Sequence, residues 1–264
     1  MAAQQAKAAA VAAHWMTDRP SHKAAPLNTL GIVVPVYNEG DALLPWLKKV
    51  ASYLKKGDQL MIVDASDSSS KNNALKNVIE SNDQLHYLTS EKGRALQMNA
   101  GAAFLCKPLD EKFRPDLLWF LHSDSGLSSD HLHYLRALKP TSKWGRFDVR
   151  LSPNIFPFAI ISAFINTRSR LTQVMTGDQG IFIRTDIFKR IKGYAEIPLM
   201  EDVEISKRLR KLAKADCDGP IIKTSARRWQ QYGWLKTVLL MWQLRLLYWL
   251  GISPDTLVKK YYGK

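Results

Sequence analysis

Residues 30–54 read LGIVVPVYNEGDALLPWLKKVASYL. The opening Leu30–Val36 is short, apolar and rich in β-branched residues. It shows no polar/apolar alternation, so it reads as a strand buried on both faces. From Gly40 to Leu54 the period changes: Leu43, Leu44, Leu47, Val50 and Leu54 fall on one side of a helix. The same couplet recurs twice, and a fourth strand follows. Gln59–Val63 precedes a possible helix at Ser68–Glu80, Leu85–Leu88 precedes Lys92–Leu105, and Leu117–His122 forms a fourth strand. Apolar strands alternating with helices imply an α/β fold, a mostly parallel central sheet with helices on both faces.

Beyond residue 140 the pattern loosens. Lys143–Leu151 alternates and reads as one strand, Gly180–Arg184 as another and Gly219–Lys223 as a third. Thr185–Ile191, Glu201–Ala213, Trp234–Leu250 and Pro254–Tyr262 read as helices. Ile155–Ile165 is apolar but interrupted by Pro157 and Ser162. Residues 1–27 read as an Ala-rich tail, and 28–264 as one domain. Its front half (28–140) would bind a nucleotide, and its back half (141–264) an acceptor.

The chain has 264 residues, 46% hydrophobic and 23% charged, which argues against disorder and fibrous architectures. Two cysteines and no Asn-x-Ser/Thr sequon give no support to a secretory history, and a cytoplasmic location is expected. The 38 basic and 24 acidic residues leave +14. Thirteen basic and three acidic residues lie between Ile205 and Lys264. Such polarity favours anionic partners. No segment reaches the roughly 18 apolar residues of a membrane span.

Open parallel sheets bind ligands beyond the carboxyl ends of their strands. There the sequence places Tyr37, Asn38 and Glu39, then Asp64, Ser66 and Asp67, then His122, Ser123 and Asp124. Lys92, Gly93 and Arg94 open the third helix. Asn38, Glu39 and Asp67 could equally cap the helices that follow them. Asp124 is the strongest candidate ligand, because it closes an unbroken apolar strand, and Mg²⁺ needs only one or two carboxylates besides phosphates. Neither Gly-x-Gly-x-x-Gly nor Gly-x-x-x-x-Gly-Lys-Ser/Thr is present, which counts against dehydrogenases and P-loop ATPases.

Six segments in order resemble the family-2 inverting glycosyltransferases of GT-A fold: IVVPVYNE (32–39), VDASD (63–67), KGRALQMNAG (92–101), LHSDS (121–125), GDQG (177–180) and LMEDVE (199–204). WGRFDVRL, TSARRW and LRLLYWLG, at 144–151, 224–229 and 244–251, look like the narrower subgroup found beside radical-SAM/selenodomain proteins. The resemblance implies a nucleotide-diphosphate sugar donor and a divalent ion, Mg²⁺ or Mn²⁺. It sets Pro35, Tyr37, Asn38, Glu39, Asp64, Lys92, Gly93, Arg94 and Ser123 along the donor, with Asp124 at the metal. His122 stands where the family usually carries a first acid, and the Asp64–Asp67 loop is shorter than usual. Asp202, beside Glu201, would be the general base, with Asp178 the runner-up. Arg227 and Arg228 could hold the diphosphate, and Trp144 and Trp229 could stack on a sugar.

Leu235, Leu239, Trp242, Leu246 and Trp249 form a stripe on the C-terminal helix. Either the stripe packs against the domain, or it makes a peripheral contact with an anionic membrane or a partner. The acceptor is open: a sugar, a lipid or a small molecule. Two rival readings are a non-catalytic nucleotide-sugar binder and a basic nucleic-acid-binding protein. No nucleic-acid motif is present, and nucleic acid is not an expected partner.

Overall fold

The structure, a computed structural model, describes residues 29–66, 73–107 and 114–262. The expected tail 1–27, Asp67 and the start of the helix predicted at Ser68–Glu80 lie outside these residues, as does the side chain of Arg228.

In the front half β1 (Leu30–Val36), α1 (Leu43–Ala51), β2 (Gln59–Asp64), α2 (Asn73–Glu80), β3 (Leu85–Thr89), α3 (Arg94–Leu105) and β4 (Leu117–Phe120) alternate as the sequence implies. The back half runs α4 (Ser129–Arg136), β5 (Trp144–Gly145), β6 (Val149–Ser152), α5 (Phe158–Thr172), β7 (Phe182–Arg184) and α6 (Thr185–Arg190). It ends with α7 (Glu201–Leu209), β8 (Ile222–Ser225), α8 (Arg227–Tyr232), α9 (Trp234–Trp249) and α10 (Pro254–Tyr262).

Six strands make the main sheet in the order β3-β2-β1-β4-β7-β5. The first four are parallel, and β7 runs antiparallel to β4 and β5. Both faces are covered. Leu30, Ile32 and Val34 pack toward α1 and α4, whereas Val33, Met61 and Val63 pack toward α3 and α7. Each such side chain contributes roughly 1.5–3 kcal/mol by leaving water, which is why these strands are apolar throughout.

α3 lies unusually close to the sheet at Gly101. A Cβ there would stand 2.6 Å from Val33 Cγ1 and 2.9 Å from Val63 Cγ2. Gly101→Ala is therefore expected to destabilise by about 1–3 kcal/mol by overpacking, despite alanine's better helix propensity. Urea denaturation checks this.

Two sequence expectations are corrected, and one segment left open is assigned. Lys143–Leu151 is not one strand. β5 ends at Gly145, and β6 leaves to pair in parallel with β8 in a separate two-stranded sheet. Between them Arg146 is fully buried and ion-paired with Asp148. The segment around Ile155–Ile165 is the 15-residue helix α5. Pro157 stands at its N-cap. Ser162 Oγ donates to Phe158 O at 2.8 Å and accepts from Leu151 N at 3.0 Å, so it joins the helix to β6 instead of breaking it. Trp144 is fully buried in the core and presents no face to a sugar. Trp229 is half-buried against Leu151, Phe158 and Ile161.

The C-terminal stripe faces outward. Leu239 is 57%, Trp242 53% and Trp249 74% exposed, so the packed alternative for these side chains does not hold. The opposite side of α9 does pack: Leu244, Leu240, Met241 and Leu247 meet Met200, Val203 and Leu257. Among the described residues no helix is long and apolar enough to cross a membrane.

Candidate active site

The candidate site lies at the carboxyl ends of β1, β2 and β4, where the strands part. Gln97 on α3 ties the ends of β1 and β2 to that helix. Its buried Nε2 donates to Val36 O and Val63 O, both at 2.8 Å. Three residues earlier on the same helix face, Arg94 is held over the cleft. Sequence reading passed over Gln97, although it stands inside the segment 92–101 at helical spacing from Arg94.

The loops after β1 and β2 are tied together. Asn38 adopts a left-handed φ of 55°, which Asn tolerates better than most residues. Its N–H donates to Ser66 Oγ at 2.6 Å. Asp64 accepts from Ser66 N at 2.7 Å and from the Tyr87 hydroxyl at 2.6 Å. The carboxylate is thus fixed while each oxygen keeps a free lone pair. At the mouth Lys92 Nζ stands 3.8 Å from the centre of the exposed Tyr37 ring. Gly93 caps the N-terminus of α3.

On the far side α7 begins abruptly. Met200 takes φ 70°, and Glu201 and Asp202 follow in the first turn, where the helix dipole favours carboxylates. Asp202 Oδ2 accepts from Gly177 N at 3.0 Å and Oδ1 from Val203 N at 2.7 Å. These bonds fix the plane of the carboxylate and leave one lone pair on each oxygen. Gly177 opens the Gly177–Gln179 turn, whose capping box with Thr176 and Gln179 fixes it. A Cβ at Gly177 would collide with Arg94 Nη2 and stand 2.9 Å from His122 Nε2, so any other residue here would push the Arg94 guanidinium from its place over the cleft.

Arg94 joins the two sides. Its Nε lies 3.5 Å from Glu201 Oε1, and its Nη2 contacts His122 Nε2. His122 Nε2 is also 3.6 Å from Asp178 Oδ1. Burial, then the Arg94 guanidinium, push the His122 pKa well below its ordinary value. The neutral ring therefore accepts from Arg94. Glu201 is only 6% exposed at its side chain, and burial raises its pKa although Arg94 opposes this. Tyr194, also lining the cleft, is positioned by Asn99, which bonds its N and O, each at 2.9 Å.

Asp124 is exposed on the turn after β4, beside the half-buried Ser123. Desolvation, followed by the Asp178 and Glu39 carboxylates, raises its pKa, and Arg227 counters them. Arg227 is the exposed first residue of α8. Asp124, Asp178, Glu39 and Arg227 therefore share one electrostatic field. Among the described residues no three His, Cys, Asp or Glu side chains are grouped to hold an ion by themselves. The oxygen donor Asp124 suits a hard cation that brings most of its ligands as phosphates. His122, engaged by Arg94, does not serve as its second ligand here.

No protein-family model matches the chain, and no curated protein sequence matches it. Solved structures do. Residues 1–349 of S. aureus TarS align with a TM-score of 0.56 at 15% identity, over 75% of this chain and 61% of that one. The same TarS segment in complex with UDP-GlcNAc gives 0.54 at 16%, over 75% and 58%. The mannosyltransferase PcManGT from Pyrobaculum calidifontis, in complex with GDP-Man and Mn²⁺, gives 0.58 at 15%, over 89% and 66%. The chain thus spans less than two thirds of the length of each. At these identities the likeness is one of fold, and it makes this chain an α/β protein of GT-A-like architecture.

Proposed function

We propose that this chain is an inverting glycosyltransferase that moves a sugar from a nucleotide-diphosphate donor to an acceptor hydroxyl. One observation carries the reading. The Asp202 carboxylate is held by two backbone N–H groups in a cleft at the strand ends that Arg94 also lines, with Asp124 in the electrostatic reach of Asp178 next to it. The structural neighbours solved with UDP-GlcNAc and with GDP-Man and Mn²⁺ support the donor class. The reading extends to the family-2 transferases and to the radical-SAM-associated subgroup through the motifs quoted above.

In this mechanism Asp202 removes the acceptor's hydroxyl proton. The acceptor oxygen forms its bond to the anomeric carbon as the bond to the diphosphate oxygen breaks on the opposite face. That bond's electron pair leaves with the nucleoside diphosphate, and the anomeric configuration inverts. Arg94 and Arg227 offset charge on the departing phosphates. Asp64, Tyr37, Asn38, Glu39, Pro35, Lys92, Gly93 and Ser123 border the nucleoside. Glu201 keeps Arg94 in place, and Asp178 stands beside the Arg94–His122 pair as a second, more exposed carboxylate. A divalent ion carried with the donor would be held by Asp124 and would neutralise diphosphate charge. A cytoplasmic location with peripheral contact to an anionic membrane face belongs to this reading, and the outward Leu239–Trp242–Leu246 stripe supports the contact.

Calorimetric titration with UDP and GDP, with and without Mn²⁺, tests the donor site. One nucleotide is expected to bind in a Mn²⁺-dependent way, and Asp124→Ala to lose most of the Mn²⁺ enhancement. Failure of both nucleotides to bind under all conditions would overturn the proposal.

A further inference from the structure

α5 and α9 border an open groove of about 1250 Å³. Its walls are hydrocarbon: Phe164, Leu235, Leu239, Trp242 and Leu246, all largely exposed. α9 is thus apolar on both sides. One side is packed on the domain, and the other lacks a covering within the chain. A helix apolar all round is one that something else covers.

The groove is not apolar throughout. Arg168 of α5 and Arg245 of α9 also line it. Among the described residues neither guanidinium has a carboxylate partner. Arg168 donates once, from Nη1 to Val174 O at 3.0 Å, and its buried Nη2 has no partner. The two cations lie close enough that burial and then Arg245 lower the pKa of Arg168 to about 10. Burial likewise lowers that of Arg245, against the pull of Asp202 and Asp178. Two half-buried guanidiniums lining one groove without a carboxylate partner are costly unless an anion joins them. Arg168 bonds the loop that leads from Val174 to Gly177, and Gly177 holds Asp202.

We infer that this groove is the acceptor site and that the acceptor is an amphipathic phosphate: a long hydrocarbon chain lies between α5 and α9, a phosphate or diphosphate sits on Arg168 and Arg245, and the group this phosphate carries bears the hydroxyl that Asp202 deprotonates. The inference rests on the transferase reading and specifies its acceptor class. Planar guanidiniums bind phosphate in a bidentate fork. The chain-lined walls select for hydrocarbon, and the head is brought beside the base.

The probes are dodecyl phosphate, dodecanol and inorganic phosphate, titrated below micelle concentrations into the full chain and followed by calorimetry and tryptophan fluorescence. Dodecyl phosphate is expected to bind about tenfold or more tighter than either of the others. Arg168→Gln/Arg245→Gln should erase that preference without changing dodecanol affinity, and Arg245→Lys should retain part of it. Leu239→Asp should weaken both dodecyl probes. UDP and GDP binding, measured on the same samples, reports separately on the donor site. Nucleotide binding without a preference for dodecyl phosphate overturns the inference and spares the transferase reading. Dodecyl phosphate binding without nucleotide binding keeps the groove as a site for amphipathic phosphates but sinks the transferase reading, and the acceptor role with it. Inorganic phosphate binding as tightly as dodecyl phosphate overturns the role of the chain. A concentration-dependent dimer that Leu239→Asp dissociates, with no phosphate preference, makes the groove a contact between copies and also overturns it.

Discussion

Asp202→Asn is expected to lower kcat by about 10²–10⁴-fold while leaving nucleotide affinity nearly unchanged. The substitution keeps the shape and removes the base. It also places an amide N–H₂ where a carboxylate oxygen now accepts a backbone N–H, from Gly177 at 3.0 Å or Val203 at 2.7 Å. One of those donors loses its partner, so about 1–3 kcal/mol of local stability is lost as well. Thermal melting and nucleotide titration separate that structural cost from the catalytic one. Asp178→Asn is the comparison. Asp178 is about half exposed and stands 3.6 Å from His122 Nε2, so its loss should disturb the imidazole more than the proton transfer. If Asp178→Asn cost more kcat than Asp202→Asn, the base would have been assigned to the wrong carboxylate.

The strands that position these groups were legible because burial on both faces leaves no other pattern. β1 runs from Leu30 to Val36 as its sequence indicates, and α10 from Pro254 to Tyr262. Legibility failed where a polar residue serves the interior. Arg146 fits an alternating strand when its partners are invisible, yet its ion pair with Asp148 lets it sit fully buried at the crossing between two sheets. Ser162 stood out only as a polar interruption of an apolar run, because its bond to Leu151 N comes from a different element. In the site, the backbone-borne features were readable: the strand-end acids, the helix-opening Glu201-Asp202 and the glycine at 177. The contacts between distant side chains were not. Nothing in LHSDS announces that His122 is engaged by Arg94. Nothing in α5 or α9 alone shows that Arg168 and Arg245 meet in one groove.

The scaffold makes a prediction of similar size, remote from the chemistry. Asp58 precedes β2, at the end of the sheet opposite the cleft, and is 1% exposed. It accepts from Leu30 N at 3.0 Å and Lys55 N at 2.8 Å, and it pairs with Arg136 of α4. One carboxylate thus ties the start of β1, the turn before β2 and a covering helix. Arg136 Nε and Nη1 are buried with no other partner. Asp58→Ala would leave a buried guanidinium and two backbone donors unpaired. The expected loss is about 3–5 kcal/mol, a fall in Tm on the order of 10 °C for a chain of this size. Nucleotide affinity of the protein that remains folded should not change. Asp58→Ala/Arg136→Met resolves the cause, because it removes the stranded charge but not the stranded N–H groups. The double variant should recover part of the loss. If it melts where the single variant melts, the two backbone hydrogen bonds, and not the ion pair, hold this end of the sheet together.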